Sequence, residues 1–323
     1  MKAFEYYRYG PPLKVMTLVD KPLPQPGPGE VRLRLHAVGI NGADWEITAG
    51  TPLYSRIFGL LRPRNPTLGS DIAGVIDAVG PGVTEFKTGD AVFGDVFAIW
   101  GGFAEAAVVP ADKLLPIPEG MSFTTAASFP QNGTNALQPI RDADLQPGHN
   151  VLILGACGAA GTLAIQLAKR AGATVTAVDK GIKLDLARDL GADLVIDYQR
   201  EDVTKRAERY DLILDYFACR SFRAYRRIMT PNGKYFFFGG SVTALYKMLM
   251  FGWLYARKGG QTFKLEAVEQ SLDKQREMAD LIAKGTIKPV IGGTYPFKDI
   301  PQALERLRMG DAAGKLMVTF PNA

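Results

Sequence analysis

The residues from Asn150 to Asp179 carry the densest chemical signal in the chain. NVLILGACGAAGTLAIQLAKRAGATVTAVD reads as apolar strand, glycine-rich turn, helix and second apolar strand. In such a unit the pyrophosphate of a dinucleotide rests on the amino end of the helix. Gly158 and Gly161 take the second and third glycine places of a G-x-G-x-x-G turn, and Ala156 takes the first. Gly155, Ala156, Gly158, Ala159, Ala160 and Gly161 are all small, as is the intervening Cys157, so the phosphate seat is open. Gly158 lets backbone approach phosphate oxygens, and Gly161 lets the helix press against the strand. Asp179 closes the second strand 18 residues beyond Gly161, near the spacing at which an acid accepts from a ribose hydroxyl. The bland alternative is a tight strand-to-helix turn with no ligand.

Metal chemistry has little to work with. A catalytic zinc needs about three Cys, His or carboxylate ligands. The chain has two His, His36 and His149, and two Cys, Cys157 and Cys219. Cys157 lies inside the glycine turn and His36 inside an apolar strand, so no zinc site is expected. Two unpaired cysteines also fit a reducing compartment.

The elements that must position this chemistry follow from hydrophobic patterning. Residues 1–123 show short apolar runs broken by Gly and Pro, among them VRLRLHAVGI, DIAGVIDAVG and FAEAAVVP, which predict a compact β-domain. Residues 124–287 change texture to strand-helix alternation, predicting a doubly wound parallel sheet with helices on both faces. After residue 288 short strands return in GGTYPF and GKLMVTF, with a helix at IPQALERLRMG. The predicted organisation is therefore a β-barrel domain from 1–123 and 288–323, with a dinucleotide-binding α/β domain at 124–287.

Composition narrows the partners. Of 323 residues, 47% are hydrophobic and 22% charged, values of ordinary globular material, and no apolar run reaches the roughly 20 residues of a membrane span. The opening MKAFEYYRYG lacks the features of a secretory signal, so a cytoplasmic location is expected. The net charge of +5 is scattered rather than striped, which argues against nucleic acid and suits a cleft that attracts an anionic dinucleotide.

Several landmarks in order resemble the quinone oxidoreductase branch of the medium-chain dehydrogenase/reductases. They are PxPGPGEVRLRLHAVGIN at 24–41, NPTLGSDIAGVIDAVG at 65–80, GDAVFG at 89–94, GGFAEAAVVP at 101–110, LGADLVIDY at 190–198 and the closing GKLMVTF. The resemblance implies a GroES-like catalytic domain wrapped around a Rossmann domain, an active site in the cleft between them, and a homodimer. Zinc-dependent alcohol dehydrogenases of the same superfamily place a cysteine where this chain has Asn41 and a His-Glu pair where it has Ser70 and Asp71, so a zinc-free site is implied.

That comparison also suggests roles for particular residues. In similar proteins an asparagine at Asn41 faces the nicotinamide, where its amide would donate to a carbonyl oxygen gaining charge; capping of local backbone is the competing role. Asp44 is a weaker catalytic candidate, with a helix N-cap as its alternative. Ser70 and Asp71 are expected near the same site, Asp71 alternatively as a loop brace, and Tyr54 is a possible proton donor. Asn135, with Thr134 beside it, stands where relatives often carry threonine, and Gly239 and Gly240 would give the nicotinamide ring room. For the adenosine ribose, Asp179 argues for NAD. Against it, Lys180 and Lys183 share its loop, and relatives hold a 2′-phosphate through a lysine at Lys183 and a tyrosine at Tyr198, which tips the reading toward NADP(H).

The expected activity is reduction of a small apolar quinone, enone or aldehyde by hydride from NAD(P)H. Two alternatives are an alcohol dehydrogenase acting on an apolar alcohol and a dinucleotide-binding regulatory protein without turnover. The segment SVTALYKMLMFGWLYARKG, rich in Met, Leu and aromatics, reads as a core helix, a lid over the substrate, or a membrane or partner surface. Its place after the nicotinamide strand favours a lid or a helix near a dimer contact across 242–256.

Overall fold

The computed structural model describes residues 1–218, 220–239, 260–265 and 270–321. Cys219, Gly240 and the apolar segment 242–256 lie outside the described residues. The chain divides into two compact units, Met1–Gln131 with Gln270–Ala323, and Asn132–Glu269.

The first unit is β-rich. Its strands are β1 (Lys2–Glu5), β2 (Thr17–Asp20), β3 (Glu30–Gly39), β4 (Asp71–Val79), β5 (Ala91–Asp95), β6 (Ala106–Pro110) and β7 (Leu115–Pro116). β1 and β2 form a small antiparallel ribbon. The ten-residue β3 is the hub: β4 pairs along one edge, while β6 and the C-terminal strand Lys315–Thr319 share the other at opposite ends. Its apolar positions, including Val31, Leu33, Leu35 and Val38, are fully buried beside Ile72, Ile76 and Val92. The helix Ile300–Arg308 begins with Pro301 in its first turn and inserts Ile300, Ala303 and Leu304 into this core, the i, i+3, i+4 stripe of an amphipathic helix.

The second unit holds six parallel strands: β8 (Asn150–Leu154), β9 (Thr174–Asp179), β10 (Leu194–Asp197), β11 (Tyr210–Asp215), β12 (Met229–Phe237) and β13 (Thr262–Leu265). Their order is β10-β9-β8-β11-β12-β13. The chain winds outward from β8 to β10, then crosses back to place β11 on the other side of β8. This reversal makes the carboxyl ends of β8 and β11 the topological switch point, where ligands of open α/β sheets bind. Val151, Leu152 and Ile153 of β8 and Leu212, Ile213 and Leu214 of β11 are fully buried, as a sheet covered on both faces requires.

The division differs from the one read in the sequence, because 124–131 and 270–287 join the β-rich unit. Side-chain partners explain the difference: the Gln131 N–H donates to Asp71 at 3.0 Å, and Gln275 accepts from the Asp95 N–H at 3.3 Å. The helix Leu272–Ala283 and strand β13 were not anticipated by patterning. The C-terminal segment adds β14 (Ile291–Pro296) and β15 (Lys315–Thr319), which pair in parallel.

A buried carboxylate organises the end of β11. Asp215 is fully buried and accepts from the N–H groups of Phe217 and Ala218 at 3.1 and 2.6 Å and from the Tyr235 hydroxyl at 2.7 Å. Burial pushes its pKa up despite these donors. Tyr235→Phe removes one donor from a carboxylate that water cannot reach, so it is expected to cost about 1–3 kcal/mol in denaturant unfolding, more than an exposed Tyr→Phe change.

Candidate functional site

The glycine turn sits at the switch point of the parallel sheet. Gly155 continues β8 with φ of 76°, and its N–H donates to the Val178 carbonyl at 3.0 Å. Gly158 caps the helix Ala159–Arg170. The Thr162 N–H closes the first helical hydrogen bond on the Gly158 carbonyl, which leaves the N–H groups of Ala159, Ala160 and Gly161 without intrahelical acceptors, at the positive end of the helix dipole. Gly161 is required by packing: a Cβ there would lie 2.4 Å from the Gly155 carbonyl oxygen and 2.6 Å from that of Ala156. The Cys157 thiol is buried, lies 3.2 Å from the Lys183 carbonyl oxygen, and has its pKa pushed up to about 12, chiefly by burial. It packs the turn as a neutral thiol.

At the end of β9, Asp179 and Lys183 form a buried ion pair of 2.6 Å. Asp179 also accepts from the Cys157 N–H and the Lys180 N–H, each at 2.8 Å. The carboxylate thus ties the glycine turn to the following loop. Tyr198 follows β10, donates its N–H to the Asp179 carbonyl at 3.3 Å, and sets its ring 5.4 Å from that of Phe217. The structure therefore brings Asp179, Lys180, Lys183 and Tyr198 to one corner. It also changes their relation, since the acid and the lysine that compete in the sequence are partners here.

On the other side of the turn, a Cβ on Gly155 would touch the Tyr216 side chain at 3.4 Å. The Tyr216 hydroxyl donates to the Asn135 carbonyl at 3.1 Å, and its ring stacks on Phe238 at 4.4 Å. Gly239 follows, and a side chain there would meet nothing within 4 Å among the described residues. Tyr198, Asp179, the glycine turn, Tyr216 and Gly239 thus line the carboxyl edge of the sheet. Sequence reading did not single out Tyr216 and Phe217, although their place after β11 was a usable signal.

In the β-rich unit the predicted catalytic residues form a sealed polar network. The Asn41 Nδ2 group donates to Ser70 Oγ at 3.2 Å and Asp71 Oδ2 at 3.0 Å. Asn41 Oδ1 accepts from Lys315 Nζ at 2.7 Å, and Lys315 pairs with Asp71 at 2.6 Å. Lys315 is 2% exposed and Asp71 0%. Gly39 makes this possible by close approach: a Cβ there would fall 2.5 Å from Lys315 Cε and 2.5 Å from the Ala127 carbonyl oxygen. Both amide hydrogens of Asn41 are committed, so the free donor expected from the sequence is not available in this arrangement.

Asp44 also differs from expectation. The helix is Gly42–Ala49 and Asn41 is its N-cap, so Asp44 is the third helical residue. Its carboxylate reaches back to the Asn41 N–H at 2.8 Å and across to the Gly69 N–H at 3.2 Å, holding Asn41 beside Ser70. Burial raises its pKa to about 7. Tyr54 donates to Glu46 at 3.3 Å, and its pKa is pushed up to about 12 by burial and by Glu46.

Buried acids with raised pKa values therefore exist where none was legible, Asp44 and Asp95 among them. The register of β4 and β5 sets Asp95 opposite Asp71, and like charges across a strand pair repel. Asp95 Oδ1 accepts from the Phe97 N–H at 2.9 Å, while Oδ2 has no hydrogen-bond partner. Burial first, then the Asp71 charge, lifts its pKa to about 8.

The fold and the glycine turn together define a nicotinamide-dependent oxidoreductase. Residues 27–119 match the family described as alcohol dehydrogenase GroES-like domain, and residues 190–318 match one described as zinc-binding dehydrogenase. A chloroplast envelope quinone oxidoreductase homolog from Arabidopsis thaliana is 30% identical, with 98% of each chain covered. Among solved structures, the quinone oxidoreductase from Coxiella burnetii superposes with TM-score 0.89 at 26% identity over 99% of both chains. The Escherichia coli quinone oxidoreductase complexed with NADPH gives TM-score 0.85 at 26% identity, covering 99% of this chain and 100% of that one. The chain belongs to the medium-chain dehydrogenase/reductase superfamily, in its quinone oxidoreductase-like branch.

Two outcomes follow from the polar network. Lys315→Met strands the buried Asp71 charge and is expected to cost about 3–5 kcal/mol in chemical denaturation, most of it recovered in the Asp71→Asn/Lys315→Met double variant. The second concerns pH. The folded-state pKa of Asp95 is raised above its ordinary value of 3.8, so its stabilising contribution is full below that value and is lost as pH rises through about 8. Asp95→Asn should therefore melt at a higher temperature than the parent at pH 8, by an amount on the order of 1 kcal/mol in stability, with the gap closing toward pH 4. A pH-independent gap would contradict this assignment.

Proposed function

We propose that the protein is a zinc-independent reductase that prefers NADPH and delivers hydride to a small apolar quinone, enone or aldehyde. The observation that carries the reading is the glycine turn at the switch point, with three first-turn N–H groups facing outward from the helix. Those groups suit a pyrophosphate. Gly239, open among the described residues at the end of β12, suits a nicotinamide ring. The corner of Asp179, Lys180, Lys183 and Tyr198 suits the adenosine ribose. When bound, the nicotinamide supplies the hydride; the chain supplies position and electrostatics.

The residues at the position of the superfamily's zinc site do not fit that metal. Asn41, Ser70 and Asp71 offer no thiolate or imidazole, and a lysine ammonium already sits 2.6 Å from Asp71. Asn41, Asp44, Ser70 and Asp71 accordingly serve in this reading as a buried frame. The proton that completes reduction is then assigned to solvent, which is chemically adequate for an enolate or a quinol anion. The other unit-specific features named in the sequence, the dimer and the cytoplasmic location, stand as part of the same proposal.

The preference for NADPH rests on the pairing of Asp179 with Lys183. Its carboxylate is neutralised by Lys183 and by two N–H donors, so it repels a 2′-phosphate less than a free acid would. Oxidation of NADPH and NADH with a panel of small quinones and enones tests the whole reading. The expected result is turnover with kcat/KM about tenfold higher for NADPH, a preference lost in Lys183→Met. Equal or better use of NADH would remove the NADPH assignment, and cofactor binding without oxidation would mark a noncatalytic protein.

A further inference from the structure

The segment Ile47–Ser70 contains three arginines, Arg56, Arg62 and Arg64, and no acidic residue. Its middle forms a 3₁₀ helix, Leu53–Phe58, followed by a turn at Gly59. One face of this piece is built into the β-rich unit. Phe58 meets Phe97 and Trp100 edge-on at 6.0 and 5.7 Å. Arg56 lies 4.6 Å over the Tyr9 ring and donates to the Gly50 carbonyl at 2.9 Å, and the Tyr9 hydroxyl donates to the Gly59 carbonyl.

The other face is apolar and open. Leu53 is 64% exposed, Ile57 80%, Leu60 67% and Leu61 86%. Arg62 and Arg64 are exposed beside them, as is Arg8, the chain neighbour of Tyr9. Single exposed leucines are unremarkable on a protein surface. Four large aliphatic side chains held outward on one braced turn, with cations and no acid along the segment, are a different case. The bracing matters, because the inward face is already occupied by Phe58 and Arg56.

We propose that this turn docks the protein on a lipid surface bearing anionic headgroups, Leu53, Ile57, Leu60 and Leu61 entering the acyl boundary and Arg62 and Arg64 meeting the headgroups. Apolar insertion combined with basic flanks is the physical signature of interfacial binding. The exposed charges along the segment are arginines, and the acids that touch it, Glu5, Asp44 and Glu46, are buried or half-buried, so its charge complements a negative surface. Among the described residues no helix is long and apolar enough to cross a membrane, so the contact is peripheral. Its use, drawing an apolar substrate from lipid, rests on the function proposed above; the contact itself does not.

The test is cosedimentation of the full chain with phosphatidylcholine vesicles, with and without phosphatidylglycerol, at low and high salt. The expected result is binding to the anionic vesicles, weakened by salt. Both Leu60→Ser/Leu61→Ser and Arg62→Glu/Arg64→Glu should reduce it about tenfold or more, while Ile291→Ser, an exposed apolar residue elsewhere, leaves it unchanged. Absence of binding, equal binding to neutral vesicles, or binding that survives both double variants overturns the proposal. So does a change of oligomeric state in the double variants without vesicle binding, which assigns the face to a second copy of the chain. Because vesicle binding is read without substrate, an inactive protein that binds separates this inference from the proposed reaction.

Discussion

Lys315 and Asp71 place opposite charges 2.6 Å apart where water cannot reach either. Each ion alone would be very costly to bury, and the pair is tolerable only if the remaining donors and acceptors are met. The surrounding chain meets them. Asn41 takes one hydrogen from Lys315 and gives one to Asp71; the Gln131 backbone gives another to Asp71. These partners come from a helix cap, the start of β4, a helix near the end of the first segment and the last strand of the chain. The need to close this network is therefore also a need for the C-terminal strand to return to β3. Gly39 supplies the space, because any side chain there would displace the lysine stem.

The same network explains which parts of the protein were legible in its sequence. Strand periodicity and the glycine turn are local patterns, and both appear where the residues place them: β3, β4 and β8 to β11 lie close to the apolar runs that suggest them. Lys315 was visible only as part of a closing motif. A lysine at the head of a strand that is otherwise LMVT is a signal of a buried cation, but its partner lies 244 residues away, and no periodicity reports that distance. Asp44 was misplaced for a smaller reason. In N-G-A-D the asparagine caps and the acid three residues later reaches back, a capping box with aspartate in the usual glutamate place.

The domain boundary shows the limit from another side. Residues 124–131 and the helix Leu272–Ala283 have the texture of the α/β unit, since an amphipathic helix looks alike whichever core it covers. A hydrogen bond from the Gln131 N–H to Asp71 and one from the Asp95 N–H to the Gln275 side chain tie them instead to the β-rich unit. Asp95 itself was unreadable as a perturbed acid, because its pKa follows first from burial and then from cross-strand register with Asp71, and both are tertiary facts.

The corner at Asp179 carries the argument over cofactor choice one step further. Counting residues gives one acid for a ribose hydroxyl and one lysine for a phosphate, a tie. In the proposed reading the 2.6 Å pair bears on that tie, because it makes the two a single, nearly neutral group. Asp179 is unable to turn outward without releasing the Cys157 N–H, and with it the glycine turn. In the proposed reading a ribose hydroxyl would meet a carboxylate already holding three donors, whereas a 2′-phosphate would share the ammonium of Lys183, whose three hydrogens also serve the Asp179 carboxylate. On that proposal, specificity at this corner is a matter of how one cation is divided between a fixed internal anion and an incoming one.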